Sequence, residues 1–273
     1  MRYILDRDKP AGNKPAPWKF LFGTVVWTWL FLSLTFLTGQ NYLQFPTVLL
    51  SITAGLGPLF ISVILIKLGY WDQKLDKTPL KFLARVLSPL NLKINWYFNV
   101  IMLVLILRLG PVIFNTLFLE SEKIFNPGPI IFILIGIIFG GLEEIGWRAY
   151  ALEGLQRQLP VIIASLIIGI FWALWHLPLF FMEGTYQAQL GVGTLSFWAF
   201  HIGIIVGSPI YAWLYNKCGR VAFVVVLYHA LGNLGGELFA DAPACISIGL
   251  EMIGALILIA SSWELMKNEV RLR

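Results

Sequence analysis

The sequence predicts an all-α integral membrane protein, a polytopic helix bundle of about eight transmembrane helices, and three observations predict it. Of the 273 residues, 58% are hydrophobic and only 13% charged, about half the charge of an ordinary globular domain. The mean hydropathy is +0.77. Apolar runs long enough to cross a bilayer recur along the chain, and basic residues fall in the gaps between alternate runs. A net charge of +5 and a pI near 9.2 would suggest nucleic acid for a soluble protein. Basic segments flanking apolar runs point instead to a membrane surface, with lipids as partners and no nucleic acid.

A helix needs about 20 mainly apolar residues to cross the hydrocarbon core, and the runs can be taken in order. Phe20 to Thr38 is too long for a signal-peptide core and is followed by Gly39-Gln40-Asn41 rather than a small-residue cleavage site, so it is read as a retained span. Thr47 to Leu68 is the second. Trp96 to Leu119, the third, encloses Arg108. The fourth, Pro129 to about Tyr150, has an uninterrupted apolar stretch only as far as Leu142. It reaches crossing length by continuing through Glu143, Glu144, Ile145, Gly146, Trp147 and Arg148, which puts two acids at or inside the membrane. Val161 to Met182 follows the Leu159-Pro160 break and carries Trp172, Trp175, His176 and Pro178. Leu195 to Tyr215 contains His201, Val221 to Ala240 contains His229 and Asn233, and Ala244 to Leu265 closes the set.

Lys and Arg of short loops collect on the cytoplasmic side, and here they alternate. One side receives the N-terminus with Arg2, Arg7, Lys9, Lys14 and Lys19, and the connection with Lys67, Lys74, Lys77, Lys81, Arg85 and Lys93. It also receives Arg148 with Arg157, Lys217 with Arg220, and the C-terminal Lys267, Arg271 and Arg273. Of the 20 basic residues, that leaves Lys123 on the other side and Arg108 within a span. The expectation is a multi-pass protein of the cell membrane with both termini cytoplasmic. The long polar connection from Trp71 to Lys93 reads as a solvated or headgroup-bound linker. With no repeat, no low-complexity tract and no soluble domain, residues 1–273 form one membrane domain. Cys218 and Cys245 fall near opposite faces and predict no disulfide.

Ionisable side chains are expensive in a bilayer and are kept mainly where they face the bundle interior and act. Glu144 and Arg148 are four apart, on one helix face, where they can form an ion pair. Glu143 points about 100° away and is left free for chemistry. His229 and Asn233 are also four apart. Arg108 is expected to bond backbone carbonyls or snorkel, and His201 to be a structural residue. Together Glu143, His176, His229 and Asn233 suit water-dependent peptide cleavage. A carboxylate withdrawn from water is a stronger base and can take a proton from a water molecule. One histidine can position that water, and a His/Asn pair can donate to a tetrahedral oxyanion. The same Glu143, His176 and His229 could instead hold a zinc ion whose bound water attacks, as in a metalloprotease. No His-Glu-x-x-His is present to decide between zinc and no cofactor.

Three motifs carry a family resemblance. Glu143-Glu144-Ile145-Gly146-Trp147-Arg148 resembles Glu-Glu-x-x-x-Arg, Trp172-Ala173-Leu174-Trp175-His176 resembles aromatic-x-x-x-His, and His229-Ala230-Leu231-Gly232-Asn233 resembles His-x-x-x-Asn. In that order on successive apolar spans they are similar to the type II CAAX prenyl proteases of the CPBP, or ABI, family of intramembrane proteases. The resemblance implies an intramembrane endopeptidase with its core at about 128–265, acting on peptide or lipidated protein substrates. It implies that Glu143 and His176 activate water, that His229 and Asn233 form the oxyanion site, and that Glu144 and Arg148 support them. The family has been described both as metal- and as glutamate-dependent. Trp172 stands where the family commonly has Phe, and Ala149 where Gly often follows the Arg. In an antiparallel hairpin broken at Leu159-Pro160, Glu143 and His176 reach similar depth, about 24 Å from the turn. That is past the midplane of a ~30 Å core, so a site opening to the cytoplasm requires the hairpin to protrude or tilt. The alternative functions are a non-catalytic membrane scaffold or immunity protein, in which the polar residues are interhelical glue, and a proton-coupled transporter.

Overall fold

The computed structural model describes residues 14–72, 75–119, 124, 125, 127, 128, 130, 134, 136–239 and 242–269. Arg2, Arg7, Lys9, Lys74, Lys123, Pro129, Ala240, Arg271 and Arg273, which entered the reading of spans and orientation, lie outside the described residues. Among the described residues the regular elements are helical. Strand-like pairing is confined to an isolated antiparallel bridge between Phe125 and Phe239.

Helix α1 spans Pro17–Leu37, with proline in the first turn, where its missing N–H costs nothing. The second apolar run is a broken span: α2, Thr47–Gly55, and α3, Gly57–Lys67, meet at 62°. The cause is Pro58, which has no N–H to offer the Ala54 carbonyl four residues back. That carbonyl accepts from Thr28 Oγ1 at 2.8 Å instead, and the neighbouring Thr53 carbonyl accepts from Trp27 Nε1 at 2.9 Å.

The connection that follows packs one face against the bundle, which the reading as a solvated or headgroup-bound linker did not include. Its helix α4, Pro79–Val86, is capped by Thr78, whose hydroxyl accepts the Lys81 N–H at 3.3 Å. One face of α4 buries Phe82 and Val86. Asp76 accepts from Trp71 Nε1 at 3.1 Å and from Arg85 Nη2 at 2.7 Å. Trp71 in turn stacks on Tyr150 with ring centroids 5.5 Å apart.

The third run consists of α5, Ile94–Val104, and α6, Gly110–Phe118, joined by a π-helical turn at Leu105–Leu109. Pro111 again removes an i→i+4 donor, here for Leu107. Helix α7, residues 136–155, alternates π-helical Gly136–Gly140, α-helical Gly141–Glu144, π-helical Ile145–Leu152 and a last α turn Glu153–Leu155. Next come α8, Val161–His176, with a 3-10 extension Leu177–Phe181, and the short α9, Tyr186–Leu190. The remaining helices are α10, Leu195–Lys217; α11, Phe223–Leu238; α12, Ala244–Ser261; and α13, Trp263–Met266.

Among the described residues helix is thus found in each of the eight predicted runs, and the chain is a multi-pass all-α membrane bundle. Its lengths are less uniform than expected. Among the described residues four helices are long and apolar enough to cross, or five with the broken pair, while Phe223–Leu238 and Cys245–Ser261 are shorter. At 1.5 Å per residue, a 16-residue helix such as α11 advances about 24 Å, less than a ~30 Å core.

One hydrophobic cluster runs from Phe20 to Met266 and joins the two halves of the chain. Phe20 lies between Trp147 and Tyr150, with ring centroids 5.4 and 5.5 Å away. Gly146 sits against the Pro58 carbonyl so closely that a Cβ would overlap it. Helices α8 and α10 cross at small residues, as membrane helices favour. A Cβ on Gly169 would stand 2.9 Å from Ile205 Cα, and Ser208 Oγ donates to the Ser165 carbonyl at 2.7 Å.

Candidate active site

The two acids of α7 point in different directions, as a 100° step demands, and each finds its own partners. Glu144 is fully buried. Its Oε1 accepts from Arg148 Nη1 at 3.1 Å, and Nη1 also lies 3.0 Å from Oε2. Arg148, 1% exposed, extends Nη2 to Ser208 Oγ at 3.4 Å. Its guanidinium carbon stands 4.5 Å from the centre of the Trp172 ring and 4.2 Å from that of Tyr211. A buried cation here is held by one carboxylate, one hydroxyl and two π faces. The expected i,i+4 ion pair is present.

Glu144 has a further partner that the sequence did not show. His229 Nδ1 lies 2.8 Å from Glu144 Oε1. An ionised carboxylate only accepts, so Nδ1 carries the hydrogen and Nε2 is the atom left for other work. Glu144 therefore clamps Arg148 and orients His229 with the same oxygen.

Glu143 is 7% exposed and accepts at Oε2 from Trp172 Nε1 at 2.9 Å. The Trp172 ring lies 5.3 Å from that of His229 and 6.1 Å from that of His176, centroid to centroid. One indole thus touches the chemistry-bearing residue of every motif. His176 Nδ1 lies 2.8 Å from the Trp172 carbonyl, which can only accept, so its Nε2 is also left with a free lone pair in the neutral ring. Glu143 meets α8 at Trp172, one turn short of His176. The π-helical turns of α7 pack more residues per turn than an α-helix, so the segment advances less than the spacing argument assumed.

Asn233, one turn beyond His229 on α11, donates Nδ2 to the Gly136 carbonyl at 2.9 Å. Both side chains converge over Gly140. A Cβ there would overlap the Asn233 amide nitrogen and come within 2.9 Å of His229 Nε2, so only glycine admits the pair. Gly136 and Gly140 together let α11 come close.

His201 stands apart from this constellation. Its Nδ1 pairs with the Phe197 carbonyl at 2.8 Å, and its ring stacks on Phe180 at 5.1 Å. The sequence reading missed Tyr211, Ser208 and the Glu144–His229 contact. The Ser208-Pro209 pair inside an apolar span was a visible signal; the rotation of α10 that aims Ser208 at Arg148 was not.

Zinc on Glu143, His176 and His229 does not fit this arrangement. Among the described residues, no three His, Cys, Asp or Glu side chains come together as metal ligands.

Comparison with known proteins bears on the same stretch. Residues 124–235 match the family described as type II CAAX prenyl endopeptidase Rce1-like. Over 115 residues the chain is 35% identical to CAAX prenyl protease 2 of Methanococcus maripaludis, an alignment covering 41% of this chain and 41% of that relative. The matched residues include all three motifs.

Proposed function

We propose that this protein is an intramembrane endopeptidase hydrolysing peptide bonds of membrane-associated or prenylated CAAX-type substrates. The observation that supports it most is the Trp172 indole, which hydrogen-bonds Glu143 while its ring lies beside those of His176 and His229. This contact gathers the three motifs of the family-matched stretch around one side chain.

In this reading Glu143 takes a proton from water, and His176 Nε2 accepts the water's other hydrogen and fixes its position. The resulting hydroxide attacks the scissile carbonyl. His229 and Asn233 receive the oxyanion, Asn233 through the Nδ2 hydrogen that Gly136 does not take. With Nδ1–H given to Glu144, His229 donates from Nε2 only when its ring carries both protons. The Glu144 carboxylate is the matching counter-charge. Glu143 returns its proton to the leaving amine, and the peptide is cut with one water consumed. Glu144 and Arg148 hold the base of the site without touching substrate. The protein is read as one domain with its catalytic core at about 128–265, and with both termini cytoplasmic.

The test is cleavage of a quenched farnesylated CAAX peptide by the purified protein in detergent, with Glu143→Ala and His201→Ala beside it. Cleavage by the wild-type protein and His201→Ala, and none by Glu143→Ala, is the expected result. No product from the wild-type protein, or undiminished product from Glu143→Ala, overturns the proposal.

A further inference from the structure

Arg108 stands near the middle of the Ile94–Phe118 span, on the π-helical turn Leu105–Leu109, and its side chain is exposed. Its stem runs across α11. A Cβ on Gly235 would lie 3.1 Å from Arg108 Cβ, and one on Gly232 would lie 3.8 Å from both Nε and Nη2. Glycines at these two places let the guanidinium reach over the helix that carries His229 and Asn233. Unlike Arg148, Arg108 forms no hydrogen bond and no ion pair among the described residues. Of the two alternatives expected for it, bonding backbone carbonyls is not seen among the described residues, and snorkelling is left.

Glu251 on α12 interacts with Arg108 electrostatically. Its carboxylate, however, faces Gly203 and Gly207 of α10, where added Cβ atoms would lie 3.5 and 3.4 Å from its oxygens. It supplies counter-charge at a distance and leaves the guanidinium's donors unfilled. A cation whose N–H groups have no hydrogen-bond partner among the described residues, inside an apolar span, is costly and marks a functional site by default. The planar fork matches a carboxylate with two parallel hydrogen bonds.

The place of Arg108 beside the helix that carries His229 and Asn233 points to the anion. Gly232 is three residues beyond His229, a rise of about 4.5 Å along α11, and adjacent to Asn233. A wall of rings links the two places: Tyr211 lies 5.8 Å from His229 and 4.8 Å from Tyr228, and both tyrosines interact with Arg108. In a CAAX sequence three residues separate the prenylated cysteine from the chain's own carboxylate, and three extended residues span about 10 Å. We propose that Arg108 is the receptor for the free C-terminal carboxylate of the substrate, which sets the register of the scissile bond. This rests on the endopeptidase reading above.

The test uses the full-length protein and two quenched farnesylated peptides that differ only in ending as a free acid or an amide. The wild-type protein is expected to cleave the acid with at least tenfold higher kcat/KM. In Arg108→Gln the ratio of acid to amide collapses toward one, mainly through KM for the acid. Arg108→Lys, which keeps the charge and loses the fork, falls between. Thermal unfolding of each variant reports folding, and the wild-type comparison stands without any variant. Equal cleavage of acid and amide by the wild-type protein, or an acid preference that survives Arg108→Gln, overturns the role of Arg108 and leaves the endopeptidase reading intact. No cleavage of either peptide by the wild-type protein overturns the endopeptidase reading itself.

Discussion

Replacing Glu144 by Leu removes the carboxylate that holds both Arg148 and His229, and the structure allows the cost to be worked out. The pair is sealed from solvent, with Glu144 fully buried and Arg148 1% exposed. Removing one partner of a buried ion pair costs about 3–5 kcal/mol, because the other charge is left uncompensated. Arg148 retains Ser208 Oγ at 3.4 Å and the faces of Trp172 and Tyr211, at 4.5 and 4.2 Å. Those contacts favour the lower end of that range, near 3 kcal/mol. For a chain of this size, roughly 2–4 °C is lost per kcal/mol, so the unfolding temperature should fall by about 6–12 °C. The double variant Glu144→Leu/Arg148→Met removes both charges and fills the same space, so most of the stability should return. Activity should not return, because His229 Nδ1 still lacks the acceptor that stood 2.8 Å away. Thermal unfolding in detergent followed by tryptophan fluorescence, with peptide cleavage measured on the same samples, separates the two effects. A double variant as unstable as the single one would show that the charge pair is not what holds α7 to α10 and α11. A double variant with full activity would show that His229 needs no carboxylate.

Two further expectations follow from single contacts. Trp172→Phe keeps a ring against Arg148, Tyr211 and His229 but deletes the N–H that reaches Glu143 at 2.9 Å. At about 1.5 kcal/mol for a hydrogen bond to a charged group, kcat should fall roughly tenfold with KM little changed; an unchanged kcat in the folded variant would show that the indole does not orient the base. Cys218 lies just beyond α10, and burial pushes its thiol up to about 12. At pH 8 only about one thiol in ten thousand is then ionised. Iodoacetamide should therefore label the exposed Cys245 and spare Cys218, as read by mass spectrometry, and equal labelling would sink this assignment.

Positions of the helices were legible because crossing a bilayer demands long apolar runs, and those are written consecutively. The pairing of Glu144 with Arg148 was legible for the same reason, since it depends only on an i,i+4 spacing along one helix. The partners that complete the site were not. Trp172 reaches Glu143 across 29 residues and His229 reaches Glu144 across 85, and both contacts depend on how helices are rotated and how closely they cross. The closeness is set by Gly140, which in a linear reading is one small residue among many. The break in the second span was also missed, although its cause, Pro58, was in view. Proline within an apolar run signals a bend only when something nearby takes the abandoned carbonyl, and that acceptor's partner, Thr28, lies on another helix.

The hydroxyl of Thr28 does two jobs at once: it donates to the Ala54 carbonyl and accepts from Trp175 Nε1 at 2.7 Å. A single oxygen on the first helix thereby ties the bend of the second span to the residue next to His176. The family-matched stretch begins far downstream of it, at residue 124. Transplanting that stretch onto a foreign N-terminal half would leave Trp175 and the Ala54 carbonyl without their common partner and Gly146 without its mate at Pro58. The two halves should consequently change together in evolution, and hybrids between relatives should fold only when Thr28, Pro58, Gly146 and Trp175 are exchanged as a set.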